Sequence, residues 1–250
     1  MLTANIFDIV HTSFVDGPGI RTTVFFKGCN LKCAWCHNPE SQSPHTQTLV
    51  YPDHSVVCGE EKTVEEVYAE LASDAPFYLA SGGGVTFSGG ECMLQIEFLT
   101  ELIKKCRAAG IHTAVDTAGH VDKSRFERLV PLADMFLYDM KCMNSDVHKK
   151  YVGVGNEQIL DNLAFLLKSG ARVWVRVPVI PGVNADEENM RALREFYEKH
   201  GHPEKTELLP YHALGENKYR ALGGEPHVFA VPEEGLMVRL RKALDGQINI

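Results

Sequence analysis

Apolar positions along this chain alternate between two spacings. Short runs rich in β-branched and aromatic residues, at 20–26, 85–87, 112–116, 135–139, 172–179 and 206–209, read as strands. Between them, apolar residues recur every three or four positions, as on one face of a helix. Val64, Val67, Tyr68 and Leu71 form one such stripe, behind a capping box of Thr63 and Glu66. Ile96, Leu99, Leu102, Ile103 and Cys106 form the next, which Gly110 ends. Further helices are predicted from about Asp122, over 156–169 with Gly170 past the end, over 186–200 and over 232–244.

Repeated strand–helix units imply a parallel sheet with right-handed crossovers. Six strands precede the last helix, so the predicted fold is α/β, an incomplete (β/α)6 barrel with outer helices rather than a doubly wound open sheet. There is no internal repeat and no linker long enough to divide the chain, so 1–250 reads as one domain. The hydrophobic content of 44% and charged content of 23% are those of a globular protein. A net charge of −8 with no basic run argues against nucleic acid as a partner. No apolar run approaches the ~20 residues of a membrane span. The first residues lack a basic segment followed by an apolar one, and seven cysteines is an odd count for a disulfide framework. A reducing, cytoplasmic setting is the simplest expectation.

Cys29, Cys33 and Cys36 stand in C-x3-C-x2-C spacing just after the first strand. A structural zinc site takes four protein ligands, so three thiols fall short of one. They suit three irons of a 4Fe-4S cluster, whose fourth iron is then open to substrate. Cys58, Cys92, Cys106 and Cys142 are scattered and read as structural.

In barrels the working groups lie at the C-terminal ends of the strands. Those ends carry the three cysteines, then Ser88-Gly89-Gly90-Glu91, Asp116-Thr117, Asp139-Met140-Lys141, Arg176 and Tyr211-His212. Any one of these is explained by an ion pair or a cap, but six on one face point to a shared pocket. Gly89 and Gly90 would let a ligand approach the backbone, and Glu91 offers an acceptor for an ammonium group.

The cysteine spacing, with Trp35 just before the last thiol, resembles the signature of the radical S-adenosylmethionine (SAM) superfamily. Gly89-Gly90-Glu91 is similar to the motif by which that superfamily holds the methionine amino group. Adding Asp16-Gly17-Pro18-Gly19-Ile20-Arg21, Cys36-His37-Asn38-Pro39, Asp116-Thr117-Ala118-Gly119 and Leu209-Pro210-Tyr211-His212, the chain resembles the glycyl-radical-enzyme activating enzymes. The resemblance implies a radical SAM barrel and an oxidoreductase. Its cluster would reduce SAM, and the 5′-deoxyadenosyl radical so formed would remove hydrogen from a backbone glycine of a partner enzyme. Carried over residue by residue, it implies that Cys29, Cys33 and Cys36 ligate one 4Fe-4S cluster. Trp35, His37, Gly89, Gly90, Glu91, Asp139, Met140, Lys141, Arg176 and His212 would contact SAM, with Lys141 also counted as catalytic. Asp116, Thr117 and Asp139 would hold Na+ or K+. The implied partners are a glycyl radical enzyme and, as electron donor, flavodoxin or ferredoxin.

One departure stands out. Many relatives carry a ferredoxin-like module after the Cys-His-Asn-Pro segment. Here residues 41–62 contain only Cys58 and resemble the edges of that module with the middle missing. The competing readings are a radical SAM enzyme acting on a small molecule, a zinc protein, and a non-enzymatic cluster carrier. The last leaves Glu91, Asp116 and Lys141 without a role.

Overall fold

A computed structural model describes residues 2–246. Six parallel strands form its centre: β2 (Arg21–Phe26), β6 (Gly84–Gly89), β7 (His112–Thr117), β8 (Met135–Asp139), β9 (Val173–Val179) and β10 (Lys205–Pro210). They pair in sequence order, β2 to β6 through to β10. Each of the six predicted strands is present, and each lies beside the next.

Two strands add to this set. β1 (Thr3–Ser13) runs antiparallel to β2, and β5 (Glu60–Thr63) runs antiparallel to β1, giving an eight-stranded sheet in the order β10-β9-β8-β7-β6-β2-β1-β5. The sheet does not close, because β10 and β5 are its two edges. β3 (Gln47–Val50) and β4 (Ser55–Cys58) form a separate hairpin within the 41–62 segment. Leu49 and Cys58 of the hairpin pack with Ala221.

The helices are α1 (Val64–Ser73), α2 (Ala75–Ser81), α3 (Ile96–Ala108), α4 (Lys123–Leu129), α5 (Ser145–Val152), α6 (Glu157–Ser169), α7 (Glu187–His200), α8 (Glu216–Ala221) and α9 (Glu234–Leu244). The capping box of α1 forms: Glu66 N donates to Thr63 Oγ1 at 3.2 Å, and Thr63 N donates to Glu66 Oε2 at 2.8 Å. Asp186 caps α7 by accepting from Asn189 N. None of the described helices is long and apolar enough to cross a membrane.

Period-two alternation divides each central strand between two environments. Val24 and Phe26, Val85 and Phe87, Val115, Phe136 and Tyr138, and Val173, Val175 and Val177 form one continuous apolar core with the helices. The alternate positions face inward. Ala114, Met135, Leu137 and Trp174 pack together there. Towards the C-terminal strand ends the inward positions become Ser88, Asp116, Asp139 and Arg176, which line a cavity.

Candidate active site

Two loops cross at the C-terminal mouth of the sheet. The cysteine loop leaves β2, and its two ends are zipped together: Gly28 N donates to Ser41 O at 2.7 Å and Cys29 N to Gln42 O at 3.1 Å. The Gly-Gly-Glu loop crosses it, with Gly90 N donating to Phe26 O and Glu91 N to Gly28 O, both at 2.9 Å. Gly89 has φ +109°, and a Cβ there would stand 2.3 Å from Phe26 N. On Gly90 it would stand 2.3 Å from Gly28 O. These glycines are therefore dictated by one chain segment crossing another.

The far side of the cysteine loop rests on the end of α5. Lys32 N donates to Val152 O at 2.9 Å and Ala34 N to Tyr151 O at 2.8 Å. From α8, Tyr219 Oη donates to Cys33 O at 3.1 Å, and Lys218 Nζ donates to Asn38 Oδ1 at 2.8 Å and pairs with Glu40. Beneath lies Lys27, fully buried, whose Nζ donates to Glu40 O, Gln47 Oε1 and Cys58 O. Sequence reasoning missed Lys218 and Tyr219, because a short polar helix far down the chain carries no signal of this contact.

A cavity of about 620 Å³ collects most of the residues singled out from the sequence. Cys29, Cys33, Cys36, Trp35, His37, Gly89, Gly90, Asp116, Thr117, Asp139, Lys141, Arg176 and His212 all line it. Ser13, Val15 and Asp16 border it on one side and Leu209, Pro210 and Tyr211 on another. Met140 does not line it; its side chain packs in the apolar core. Glu91 lies behind the wall. Its carboxylate accepts from Thr117 Oγ1 (2.8 Å), Ala118 N (3.1 Å) and Met93 N (3.2 Å). Burial nevertheless raises its pKa to about 7, those three donors offsetting only part of the penalty.

Arg176 sits between two carboxylates. Nε donates to Asp139 Oδ1 at 2.9 Å, and a terminal nitrogen pairs with both Asp139 and Asp116. Asp116 also accepts from Ser88 Oγ at 2.6 Å, and Lys141 Nζ reaches Asp139 at 3.3 Å. Burial works against charge throughout this group. At Asp139, Arg176 and Lys141 outweigh it and hold the pKa below the ordinary value. At Asp116 burial wins and the pKa is raised. Burial opposes the charges of Lys141 and Arg176 too, but their carboxylate neighbours keep both cationic. Thr117 Oγ1 donates to Glu91, and Arg176 stands between Asp116 and Asp139. The His37 and His212 rings meet edge to face with centroids 4.6 Å apart. Burial, then Lys218 and His212, lower the His37 pKa to about 4, so the ring is neutral.

The three cysteine thiols are free and partly exposed. Burial pushes Cys29 and Cys36 up to about 12 and raises Cys33 as well. Such thiols stay protonated until a metal centre compensates the charge, and binding then releases protons. Among the described residues no three His, Cys, Asp or Glu side chains take the spacing of a single-ion site. An iron–sulfur cube holds its thiolates farther apart than one ion does, so three free thiols on a roomy cavity fit a 4Fe-4S cluster.

Residues 23–193 match the family model described as the radical SAM superfamily. The chain belongs to the radical SAM superfamily. Several of its relatives there are activating enzymes. It is 37% identical to the trans-4-hydroxy-L-proline dehydratase activating enzyme of Clostridioides difficile, over 86% of this chain and 86% of that one. With the pyruvate formate-lyase-activating enzyme of Clostridium pasteurianum it shares 40% identity, over 89% and 88%. The first alignment runs over 261 positions, more than the 250 residues of this chain, so that relative carries residues this chain lacks. Among solved structures, a domain of a pyruvate-formate lyase-activating enzyme from Bacteroides vulgatus superposes with TM-score 0.57 and 35% identity, over 66% of this chain and 94% of that one. A radical SAM methyltransferase from Sphaerobacter thermophilus, 18% identical, shares the fold with TM-score 0.64 over 98% and 71%. Membership implies a 4Fe-4S cluster and SAM, and the radical SAM fold is the incomplete α/β barrel that the strand pattern predicted.

Proposed function

We propose that this chain activates a glycyl radical enzyme, using SAM and one 4Fe-4S cluster to take a hydrogen atom from a backbone glycine of that partner. The observation that carries the reading is the single cavity onto which three thiols and the Asp116, Asp139, Lys141 and Arg176 group all open. Cys29, Cys33 and Cys36 would hold the cluster. When bound, the cluster supplies the electron for reductive cleavage of the SAM sulfonium.

The chain's own groups bind and orient. Lys141 and Arg176 offer cationic donors to a carboxylate, and Asp139 offers an acceptor to an ammonium. Neutral His37, the ring of His212 and the ring of Trp35 provide flat faces and ring nitrogens for the nucleoside. Glu91 acts through Thr117 and Ala118, fixing the wall rather than touching the ligand. Na+ or K+ beside Asp116 and Asp139 belongs to the same proposal, and it requires Arg176 to yield one of its two carboxylates. The partner class follows from relatives named for activating a dehydratase and pyruvate formate-lyase. An external flavodoxin or ferredoxin supplies the electron.

The test uses the anaerobically reconstituted enzyme with SAM, dithionite and a short peptide centred on the target glycine, deuterated at its α-carbon. Deuterium in 5′-deoxyadenosine is the expected result. Cleavage of SAM without deuterium transfer from any glycyl radical partner or its peptide would overturn the activating role.

A further inference from the structure

The chain is acidic as a whole, yet the outside of the cysteine loop is basic. Lys32, Lys149 and Lys150 are exposed. None of the three forms an ion pair among the described residues; exposed Lys168, Lys199 and Lys242 form none either, whereas Lys62, Lys104, Lys105, Lys123, Lys141, Lys205 and Lys218 do. The loop and α5 bring them together. Lys32 N donates to Val152 O, and a Cβ on Gly153 would stand 3.7 Å from Lys32 Cβ. Asp146, one turn earlier, is the only acidic residue within α5.

Two of the thiols lie behind this patch. Cys29, Cys33 and Trp35 pack directly against Leu31, Ala118 and Val152. Lys150 Nζ lies 4.9 Å from the Tyr151 ring centroid. Tyr151 is 6.3 Å from Phe229, and Phe229 is 6.2 Å from Trp35, the residue before Cys36. Surface, aromatic rings and cysteine loop are thus in unbroken contact.

We propose that the Lys32, Lys149 and Lys150 face is the docking surface for an acidic one-electron donor protein of the flavodoxin or ferredoxin class. The proposal rests on the reading above that a cluster occupies the three thiols. One electron leaves the reduced donor and enters the cluster, and no atom or proton is transferred. Three unpaired lysines gathered beside the cysteine loop of a protein with net charge −8 attract an acidic partner to this face, which sets the encounter rate and its dependence on salt.

The experiment compares the reconstituted enzyme with its Lys149→Glu/Lys150→Glu variant. Binding to a bacterial flavodoxin is measured by calorimetry at low salt and again near physiological ionic strength, where the screening length falls to about 8 Å. The variant is expected to bind at least about tenfold more weakly at low salt and to lose most of the salt dependence. SAM cleavage driven by flavodoxin should fall with it, while cleavage driven by dithionite should not. Unchanged affinity and salt slope would overturn the assignment. An equal loss with dithionite would overturn it too, because the lysines would then act on the cluster rather than on the donor. Failure of dithionite-driven cleavage in the unaltered enzyme would instead remove the cluster reading, leaving the binding result to stand by itself.

Discussion

Replacing Arg176 with Gln should strand two buried carboxylates. The Asp116 and Arg176 side chains are each 10% exposed and Asp139 25%, so solvent screens the pairing little. Removing one partner of a buried pair costs about 3–5 kcal/mol. Asp139 keeps Lys141, but Asp116 keeps only the Ser88 hydroxyl. About 3 kcal/mol is therefore expected, or roughly 6–12 °C in melting temperature for a chain of this size. The assay is equilibrium urea unfolding at pH 8 and again near pH 5.5. Without Arg176 the folded-state pKa of Asp139 rises above its unfolded value of about 3.9, and that of Asp116, already raised by burial, rises further. A carboxylate raised in this way penalises folding above its folded pKa and stops doing so as pH falls through it. The variant should therefore recover stability towards pH 5.5, narrowing its deficit. Adding Asp116→Asn and Asp139→Asn to Arg176→Gln removes the stranded charges and should restore most of the loss at pH 8. A deficit under about 1 kcal/mol at pH 8, or one that does not narrow on acidification, would refute the reasoning.

Cys33→Ala should lose most of its iron after anaerobic reconstitution, while Cys58→Ala, in strand β4 of the hairpin, should keep it; iron analysis decides. Gly89→Ala should destabilise by more than about 2 kcal/mol, since it combines φ +109° with a Cβ 2.3 Å from Phe26 N. A melting temperature unchanged by that substitution would show that the crossing is looser than described. His11 pairs with Asp74 and Glu70, and Asp74 raises its pKa above the ordinary 6.5. A raised histidine stabilises fully below pH 6.5 and progressively less as pH climbs through the folded value. Unfolding of His11→Gln should therefore fall further below wild type at pH 6 than at pH 8.

The central strands were legible because their outward positions, such as Val173, Val175 and Val177, are uniformly apolar. The edge strands were not. In β1 only Ala4, Ile6 and Ser13 of eleven residues are buried, so no alternation marks it. The site was legible where chemistry sits at a strand's C-terminal end, as at Asp116, Asp139, Lys141 and Arg176. Motif spacing named Glu91 but not its direction. As the cap of the turn Cys92–Gln95 it must face Met93 N, which turns it from the cavity. Met140 falls outside the lining by parity, because it neighbours two inward residues and so its side chain points to the core. The contacts of Lys218 and Tyr219 depend on how the chain returns after β10, which nothing local encodes.

The β3–β4 hairpin gives the fold a seam. Gln47 pairs with Cys58 and Val50 with Ser55, so the chain leaves and re-enters the molecule at adjacent points. Everything between Val50 and Ser55 projects beyond that paired base. Extra sequence grafted at this tip would add only loop-closure entropy, about 0.6 kcal/mol per doubling of its length. Neither the zipped base of the cysteine loop nor the pairing of β5 with β1 would have to shift. A whole accessory unit can thus be gained or shed at residues 51–54 without retuning the barrel, which makes the tip the natural place to splice in an electron carrier or a label.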